Sequence, residues 1–480
     1  MNSYTLPMAF LFLLLASCKK SELISDDTDP VQTNLTTSVN TWTKYCGWHY
    51  FNGTIPSWGG WVREYSKDGF GLFITDPNTN LIDQSLLETS FQELSNLSSE
   101  IDLLQLTGGL GSAKDTTRVI NWMNFIESDH GQKWKDIVYE QSLKLTMLPN
   151  AADRVYWQVG NEISSPSYSR TIRYWQGQAF GAGMNYDSFV IPYYVENFLA
   201  PTVEAIDKAS LKAYGEVGKI NICLGSLTNA RSTAAQIFLD ELLNYEIVGT
   251  NSPSLKKKKI SDLIHIITIH YTAGTASTAE WEDILTHYKS YSGTGRIKGV
   301  WSTEEVGIQT ALGGAGGAIG SVATFRYLEW AIKNNFSSRE VRTNYYGWAT
   351  GEIPSTTDTF NQFIFDFLGD SKLANIPKSS TSIQFSTPVE FHSFITEDHQ
   401  RKVLGVFPER TQSRPNSEVN SIVLKKGHWQ FKNSINAYLY SEEGIIIKNF
   451  EIKESSSEIE VIFNSPIQLD YYSGLLVTLD

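Results

Sequence analysis

The chain has 480 residues, too many for one ordinary hydrophobic core, so it must hold two or three domains or a large barrel with a further domain. Hydrophobic residues make up 41% and charged residues 19%, which is the composition of a folded globular protein and excludes a disordered chain. With 39 Lys and Arg against 52 Asp and Glu, the net charge is −13, which argues against a nucleic-acid partner because phosphate binding needs a basic surface.

The first segment of the chain is typical of an export signal. An apolar run from Leu6 to Ala16 has the length of a signal-peptide core and is too short to cross a bilayer as a stable helix. It ends in Leu15-Ala16-Ser17-Cys18, which resembles the lipobox of bacterial lipoproteins, although no Lys or Arg precedes the run. The resemblance implies a signal peptide over residues 1–18, lipidation of Cys18 and anchoring to the bacterial envelope, at the outer membrane or the cell surface. The alternative is plain secretion with an incidental cysteine.

The central part of the chain has the pattern of an α/β barrel. Residues 19–40 are polar and acidic and predict a flexible tether. From residue 41 to residue 377, short apolar runs alternate with longer amphipathic stretches, which predicts βα units and a parallel sheet. The expected strands are Trp48–Phe51, Ile101–Leu106, Leu143–Leu148, Val155–Val159, Ile220–Leu224, Leu263–Ile269, Gly299–Thr303 and Thr343–Trp348. Eight such strands close a (β/α)₈ TIM barrel.

Residues 378–480 have a different pattern. Short strand-like runs recur with turn signals between them, and no long helical pattern appears. The runs are Val389–Phe394, Lys402–Phe407, Ile422–Lys425, Ala437–Tyr440, Glu458–Phe463 and Gly474–Val477. This segment therefore predicts a C-terminal antiparallel β-sandwich.

The cysteines and histidines give no sign of a metal or of another cofactor. No Cys or His cluster has the spacing of metal ligands, and we expect no cofactor. Cys46 and Cys223 are far apart in sequence, and their spacing leaves open whether they pair. Because Cys223 lies in an apolar strand-like run, a buried free thiol is the favoured interpretation.

Two of the expected strands end in carboxylates, where a parallel barrel forms its active site. One run leads from Val155 to Glu162, and the other leads from Val300 to Glu304 and Glu305. Cleavage of a glycosidic bond needs an acid to protonate the leaving oxygen, and a second carboxylate to attack the anomeric carbon or to activate water. Two strand-end glutamates from different strands supply that pair.

In these strand ends the sequence resembles the clan A glycoside hydrolases, which are (β/α)₈ retaining enzymes. Their fourth strand commonly ends in Asn-Glu, as Asn161-Glu162 does, and their seventh ends in Glu after Thr or Ser, as Thr303-Glu304 does. The resemblance implies that Glu162 is the acid/base, that Asn161 binds the sugar hydroxyl next to the anomeric carbon, and that the seventh-strand Glu is the nucleophile.

Two further strand ends and one aromatic cluster are assigned to substrate binding. His270-Tyr271 matches the His or Tyr of the clan's sixth strand, and Trp348 matches the Trp that often ends the eighth strand as a floor for the sugar. Trp48 belongs to an early aromatic cluster that could stack on sugar rings. Structural alternatives remain open: Asn161 could cap a helix, His270 could be a satisfied core residue, and Trp48 could pack in the core.

Side-chain alternation favours Glu304 over Glu305 as the nucleophile. If Glu304 points into the barrel, Ser302 and Val300 do so too, and Trp301 faces the helices as Trp157 would on the fourth strand. Against this, the clan's Glu-x-Gly pattern selects Glu305, and a bulge at the strand end could break the alternation. We favour Glu304 and leave Glu305 open.

Together these features predict a retaining glycoside hydrolase, expected to be an endo-acting β-glycanase on an extracellular polysaccharide or oligosaccharide. Contact with the membrane is expected through the lipid anchor only. The alternatives are an exo-acting β-glycosidase and a non-catalytic surface glycan-binding protein. The mechanism requires the two carboxyl groups to lie about 5–5.5 Å apart. It also leads us to expect a raised pKa for Glu162 from the charged nucleophile nearby.

Overall fold

A computed structural model describes residues 41–50, 59–64, 84–98, 101–107, 126–165, 190–270, 276–305, 317–345, 355–410, 416–441, 444–470 and 473–480. The predicted signal peptide with Cys18 and the predicted tether of residues 19–40 lie outside these ranges. Within them, no helix is both long enough and apolar enough to cross a bilayer.

The predicted barrel is confirmed. Eight strands form a closed barrel in which each pairs in parallel with the next and the last pairs with the first. They are β1 (Cys46–Tyr50), β2 (Trp61–Glu64), β3 (Asp102–Thr107), β4 (Val155–Val159), β5 (Asn221–Leu224), β6 (Ile266–His270), β7 (Gly299–Glu305) and β8 (Val341–Tyr345).

Helices surround the barrel and cover its outer face. Those in the described ranges are α1 (Trp42–Tyr45), α2 (Gln84–Ser95), α3 (Gln132–Leu145), α4 (Ala151–Arg154), α5 (Val190–Tyr194), α6 (Ala200–Tyr214), α7 (Thr233–Asn244), α8 (Trp281–Lys289), α9 (Gly317–Asn334) and α10 (Ser355–Leu368). A π-helical turn, Val195–Leu199, joins α5 to α6, and 3₁₀ turns occur at Pro253–Leu255, Ile260–Asp262 and Lys378–Ser380.

One expected strand is wrong, and one real strand was missed. Residues 143–148 lie in the last turn of α3 and beyond it, where Leu145 and Leu148 are buried as the end of a helical stripe. The second strand is instead β2, which has only four residues and carries two charged side chains, so it shows no apolar run. The strand order from β4 onward is unaffected, because the two errors cancel in the count.

The C-terminal part is a β-sandwich of two antiparallel sheets, as predicted. Its strands are β9 (Leu373–Asn375), β10 (Thr381–Phe385), β11 (Val389–Thr396), β12 (Lys402–Pro408), β13 (Ser417–Lys425), β14 (Ile435–Ser441), β15 (Gly444–Ile447), β16 (Phe450–Glu454), β17 (Glu458–Leu469) and β18 (Gly474–Leu479). The sheet orders are β10-β13-β17-β16 and β15-β14-β18-β12-β11-β9. The sandwich begins before the expected domain boundary at residue 378, because the edge strand β9 pairs with β11.

The lower half of the barrel interior is filled by aromatic rings and one guanidinium. Trp61, Tyr156 and Trp301 are buried there, and the ring centroids of Tyr156 and Trp301 lie 4.5 Å apart. The guanidinium carbon of Arg342 lies 4.0 Å from the centroid of a Trp301 ring, and Arg342 also pairs with Asp102 at 2.8 Å. Cation–π contact and this ion pair compensate the buried charge, so the barrel has a solid floor beneath its mouth.

Buried charged residues join the barrel to the sandwich. Arg326 on α9 donates to Glu390 on β11, with Nε 3.0 Å from Oε1, and also to the carbonyl of Ala276 at 3.0 Å. His392 on β11 contacts Glu329 through Nδ1 and lies 3.3 Å from Glu390 through Nε2. Because these groups are buried together, their charges must be compensated within the junction.

The ionisable groups of this junction lead us to expect that the stability of the protein falls at both acidic and alkaline pH. Burial lowers the pKa of His392, but the charge of Glu329 and the hydrogen bonds to both glutamates raise it above its ordinary value of 6.5. Burial alone would raise the pKa of Glu390. Arg326 and His392 lower this pKa by more than burial raises it, so it lies well below 4.5. The contribution of His392 is therefore complete below pH 6.5 and is lost as the pH rises through its raised pKa. The contribution of Glu390 is lost as the pH falls below 4.5.

We expect the urea midpoint of unfolding to fall at alkaline pH in the wild type. In His392→Gln the alkaline fall should be largely absent, because the group that titrates there is gone. Unfolding curves across about pH 5 to 9 measure this difference. An equal alkaline fall in both proteins would show that another group is responsible.

Candidate active site

The ends of β4 and β7 bring two glutamates together at the mouth of the barrel. One carboxylate oxygen of Glu162, one of Glu304 and a ring nitrogen of His270 all lie within 4.8 Å of one another. The Glu162 side chain is 28% exposed and that of Glu304 is 5% exposed, so Glu162 is the more open to solvent. The predicted residues Asn161, Glu162, His270 and Glu304 thus share one site.

Glu162 reaches the mouth through a tight turn after β4. Gly160 has φ +88°, and a Cβ there would lie 2.9 Å from Cγ2 of Ile163 and 3.2 Å from the Tyr194 ring, so the position requires glycine. Glu162 itself has φ 51°, which is unusual for a residue with a side chain. The amide of Ile163 donates to the carbonyl of Ser226 at 3.0 Å and fixes the turn. Backbone strain of this kind is common at functional sites.

Glu304 reaches the mouth through a β-bulge. Ile269 pairs with Ser302 but His270 pairs with Glu304, and the register against β8 shifts at the same place. Strand β7 therefore holds one residue more than its neighbours, at Thr303. As a result Thr303 and Glu304, although consecutive, both point into the barrel, where each contacts His270.

The bulge interrupts the regular inward and outward alternation of side chains along β7, on which the choice of Glu304 was based. Trp301 lies inside the barrel, not toward the helices, whereas Val300 packs in the outer core. Ser302 and Glu305 lie beside Tyr327 of α9, and burial together with the charge of Glu305 raises the pKa of the Tyr327 phenol. The premise was wrong, yet Glu304 still faces Glu162, because the extra residue reverses the alternation. Glu305 is fully buried, and its charge acts on Tyr327 of the outer helix α9.

Arg63 on β2 is a site residue that the sequence did not reveal. Its side chain is fully buried, donates to Glu304 through one nitrogen, and donates to Oδ1 of Asn161 at 2.7 Å through the other. Trp61 lies on the same face of β2, two residues earlier, inside the barrel. Arg63 could not be placed at the site from the sequence because β2 was not predicted as a strand. Asn161 accordingly binds Arg63 through its oxygen.

His270 lies behind the two carboxylates. Its Nδ1 is 3.3 Å from Oε1 of Glu162 and 3.4 Å from Oε2 of Glu304, and its Nε2 is 3.1 Å from Oγ1 of Thr303. The side chain is fully buried, so it is placed to orient the carboxylates and not to line the open space in front of them. The substrate contact that the sequence predicted for His270 stays a prediction.

The electrostatics of Glu162 differ from expectation. Burial raises the pKa of its carboxyl, but the hydrogen bond and charge of His270 and the charge of Arg63 lower it more. The pKa of Glu162 in the free protein is therefore below its ordinary value of 4.5, not above it. The expected repulsion from the second carboxylate is offset because Arg63 sits on that carboxylate.

The same three side chains have the spacing of a metal site, but their surroundings oppose a cation. Glu162, His270 and Glu304 each offer one atom within 4.8 Å of the others. Arg63 already supplies a positive charge at Glu304, so a divalent ion would meet electrostatic repulsion there.

The remaining predicted residues cannot be placed against the pair. Tyr271 and Trp348 lie outside the described residues, and of Trp48 only the backbone, in β1, is described. Cys46 and Cys223 are both buried, and no disulfide bond joins them.

No family model matches the chain, and no curated protein matches it in sequence. Among solved structures it is similar to the GH51 α-L-arabinofuranosidase from Thermotoga petrophila, with a TM-score of 0.42, 11% identity and 88% of each chain covered. It is also similar to a family 44 xyloglucanase from Paenibacillus polymyxa, with a TM-score of 0.36, 8% identity and 83% of each chain covered. A GH5-4 endoglucanase from an uncultured bacterium has a TM-score of 0.40 and 11% identity, covering 68% of this chain and 93% of that one. These similarities concern the fold alone.

Proposed function

We propose that the protein is a glycoside hydrolase that cleaves with retention of configuration, with Glu162 as acid/base and Glu304 as nucleophile. The observation that carries the proposal is the pair of carboxylates at the ends of β4 and β7, with one oxygen of each within 4.8 Å. Retaining glycosidases hold their carboxyl groups about 5–5.5 Å apart, whereas inverting ones need about 6.5–9.5 Å to admit a water molecule. The short separation favours retention.

The surroundings of each glutamate suit its proposed role. Arg63 favours the ionised form of Glu304, which a nucleophile requires, and holds it on the inner wall of the barrel. Glu162 is the more exposed of the two, as an acid/base must be in order to reach both the leaving oxygen and the incoming water. The Asn161 oxygen is held by Arg63, which leaves its amide nitrogen to donate to a sugar hydroxyl.

The reaction proceeds in two displacements. In the first, Glu304 attacks the anomeric carbon as the glycosidic bond breaks, and Glu162 gives its proton to the leaving oxygen. In the second, Glu162 takes a proton from water, whose oxygen attacks the same carbon and releases Glu304. Two inversions give net retention, and the proton on Glu162 is restored.

We extend the proposal to an endo-acting β-glycanase that is lipid-anchored at the cell envelope. The support is the resemblance of Leu15-Ala16-Ser17-Cys18 to a lipobox, since an enzyme anchored outside the cytoplasm would meet polymers there. Metabolic labelling with a palmitate analogue tests the anchor, and label that persists in Cys18→Ser would contradict it. Chain-length analysis of the products from a soluble polysaccharide tests endo action.

A hydrolysis screen tests the activity itself. We expect product from at least one of the β-glucans, xylans, mannans, red-algal galactans or aryl arabinofuranosides, and ¹H NMR of the first-formed product should show the configuration of the substrate. First-formed product of inverted configuration would exclude the covalent route. Binding of a glycan without any product would indicate a surface glycan-binding protein instead.

The lowered pKa of Glu162 predicts a pH optimum on the acidic side. The acid form of Glu162 is lost as pH rises through its pKa, so the alkaline limb of kcat/KM should lie at low pH. His270→Phe removes both the hydrogen bond and the charge that lower this pKa. We expect the alkaline limb of the variant to move to higher pH, even though its maximal rate falls. In the control His287→Phe, on α8, the limb should stay where it is in the wild type, and a limb unmoved in His270→Phe would refute the assignment.

A further inference from the structure

Beyond the last paired residues of β4 and β5, side chains join the two segments. The ladder between these strands ends where Val159 pairs with Leu224, before the turn that carries Glu162. The backbone continues the connection with a direct hydrogen bond from the amide of Ile163 to the carbonyl of Ser226, at 3.0 Å. Other buried backbone groups of the two segments must find partners in another way.

The hydroxyl group of Ser164 provides one such partner. Its Oγ accepts from the amide of Thr228 at 3.0 Å and donates to the carbonyl oxygen of the same residue at 3.4 Å. Ser164 is almost fully buried, so water cannot easily take over either bond. Because Ser164 comes two residues after Glu162, it fixes the far side of the turn to the segment after β5.

The hydroxyl group of Tyr194, at the end of α5, connects the two strands on the near side of the turn. It donates to the carbonyl oxygen of Val159 at 2.6 Å and accepts from the amide of Gly225 at 3.4 Å. Tyr194 is fully buried, and two glycines make room for it. A Cβ at Gly160 would lie 3.2 Å from its ring, and a Cβ at Gly225 would lie 3.2 Å from its hydroxyl oxygen.

The strained part of the turn lies between these two connections. Gly160 has φ +88° and Glu162 has φ 51°. A glutamate in the left-handed region is strained, and it keeps that conformation when the surrounding structure holds it there. Relaxation of the turn would move the carboxyl group of Glu162 relative to that of Glu304.

We propose that Ser164 and Tyr194 are positioning residues for Glu162, because their hydroxyl groups join the end of β4 to the end of β5 and hold the left-handed turn between them. The turn in turn sets the place of the Glu162 carboxyl group opposite Glu304. This inference rests on the proposed function, in which Glu162 must reach the leaving oxygen and then the attacking water. Both hydroxyl groups bind backbone atoms, so they act on Glu162 through the backbone.

A misplaced acid/base has a kinetic signature. The ratio kcat/KM reports formation of the glycosyl-enzyme, in which Glu162 protonates the leaving oxygen. A weakly acidic leaving group such as phenol needs that proton, whereas dinitrophenolate departs without it. Displacement of the carboxyl group should therefore steepen the dependence of kcat/KM on leaving-group acidity. A general loss of active protein would instead lower kcat/KM equally for every substrate.

Ser164→Ala and Tyr194→Phe each remove one oxygen, and a series of aryl glycosides of the right sugar tests both variants. We expect kcat/KM for the phenyl glycoside to fall by about 10- to 100-fold, because a misplacement of about 1 Å can cost about 10²-fold. The value for the dinitrophenyl glycoside should stay within about twofold of the wild type, since its leaving group needs no acid. Thermal unfolding shows whether each variant is folded, and Ser164→Ala decides alone if Tyr194→Phe does not fold.

Ser210→Ala is the matched control. The Ser210 hydroxyl is also fully buried, accepts from the amide of Lys219 at 3.1 Å and donates to the carbonyl of Glu216 at 2.8 Å. It therefore makes the same pair of backbone contacts as Ser164, but before the start of β5, at the end of the barrel opposite the site. In this variant the dependence on leaving-group acidity should remain that of the wild type.

Hydrogen exchange measured by mass spectrometry tests the connection without a substrate. In Ser164→Ala the amide of Thr228 loses its acceptor, so the peptide that contains it should exchange faster than in the wild type and in Ser210→Ala. Equal exchange in all three proteins would contradict a role for Ser164 in holding the two segments together.

The kinetic outcomes separate this inference from the proposed function. An active wild type with an unchanged dependence on leaving-group acidity in the folded variants would overturn the inference and leave the function standing. An equal loss across the whole series would do the same. A folded wild type that cleaves no glycoside would overturn the proposed function and the inference with it.

Discussion

Replacing Glu304 with Gln is expected to abolish hydrolysis, with kcat falling on the order of 10⁵-fold, because no covalent glycosyl intermediate can form. The substitution keeps the shape of the side chain and removes its nucleophilic charge. Arg63 then loses its ionic partner inside the barrel, so a loss of stability is also expected. Initial rates on an aryl glycoside of the right sugar measure the effect, and a thermal unfolding curve shows whether the variant is folded.

Glu305→Gln is the matched control, since it makes the same chemical change one residue away. Glu305 is buried and its charge acts on Tyr327 of α9, so the variant should keep most of its activity. A fluorosugar inactivator should label the peptide at Glu304. Labelling at Glu305 would show that Glu305, not Glu304, is the nucleophile. An inactive Glu305→Gln variant beside an active Glu304→Gln variant would show the same.

Replacing Glu162 with Ala is expected to slow hydrolysis of natural glycans by about 10²–10⁴-fold, which is the usual contribution of a general acid/base. The loss should depend on the leaving group, because a good one departs without a proton. Dinitrophenyl glycosides should therefore still form the covalent intermediate on Glu304. Their turnover should then be limited by the second displacement, in which water lacks its base.

Azide distinguishes this role from a structural one. As a small anion that needs no deprotonation, it should enter the space left by Glu162 and restore turnover, giving a glycosyl azide of retained configuration. The Glu162→Gln variant, which leaves no such space, should be rescued less. If azide restored neither variant, while both stayed folded, Glu162 would not be the acid/base.

The part of the site that the sequence could predict is the part carried by apolar strands. Strand β4 is fully buried, so its apolar run places Gly160, Asn161 and Glu162 at a strand end without further information. The barrel and the sandwich follow from similar patterns of period and turns. These features depend on short stretches of sequence, so they can be recognised without knowing how the strands pair.

Features that depend on the pairing register between strands could not be predicted from the sequence. The bulge in β7 arises from pairing with β6 and β8, and nothing in Ser302-Thr303-Glu304 marks an extra residue. Arg63 was missed for a related reason: β2 is short, and its pairing partners make it a strand. The alternation argument placed Trp301 toward the helices, whereas the structure places it inside the barrel, and Glu304 comes near Glu162 only because of the bulge.

The extra residue in β7 also affects how this chain must be aligned with any barrel whose seventh strand has no such bulge. A strand with one more residue than its counterpart requires a gap, and an alignment without that gap displaces every later position by one. The Glu-Val-Gly tripeptide at 305–307 invites this displacement, since it imitates a familiar signature one step late. Transfer of residue roles by signature would then mark a carboxylate whose charge acts on an outer helix, and the one that faces Glu162 would be overlooked.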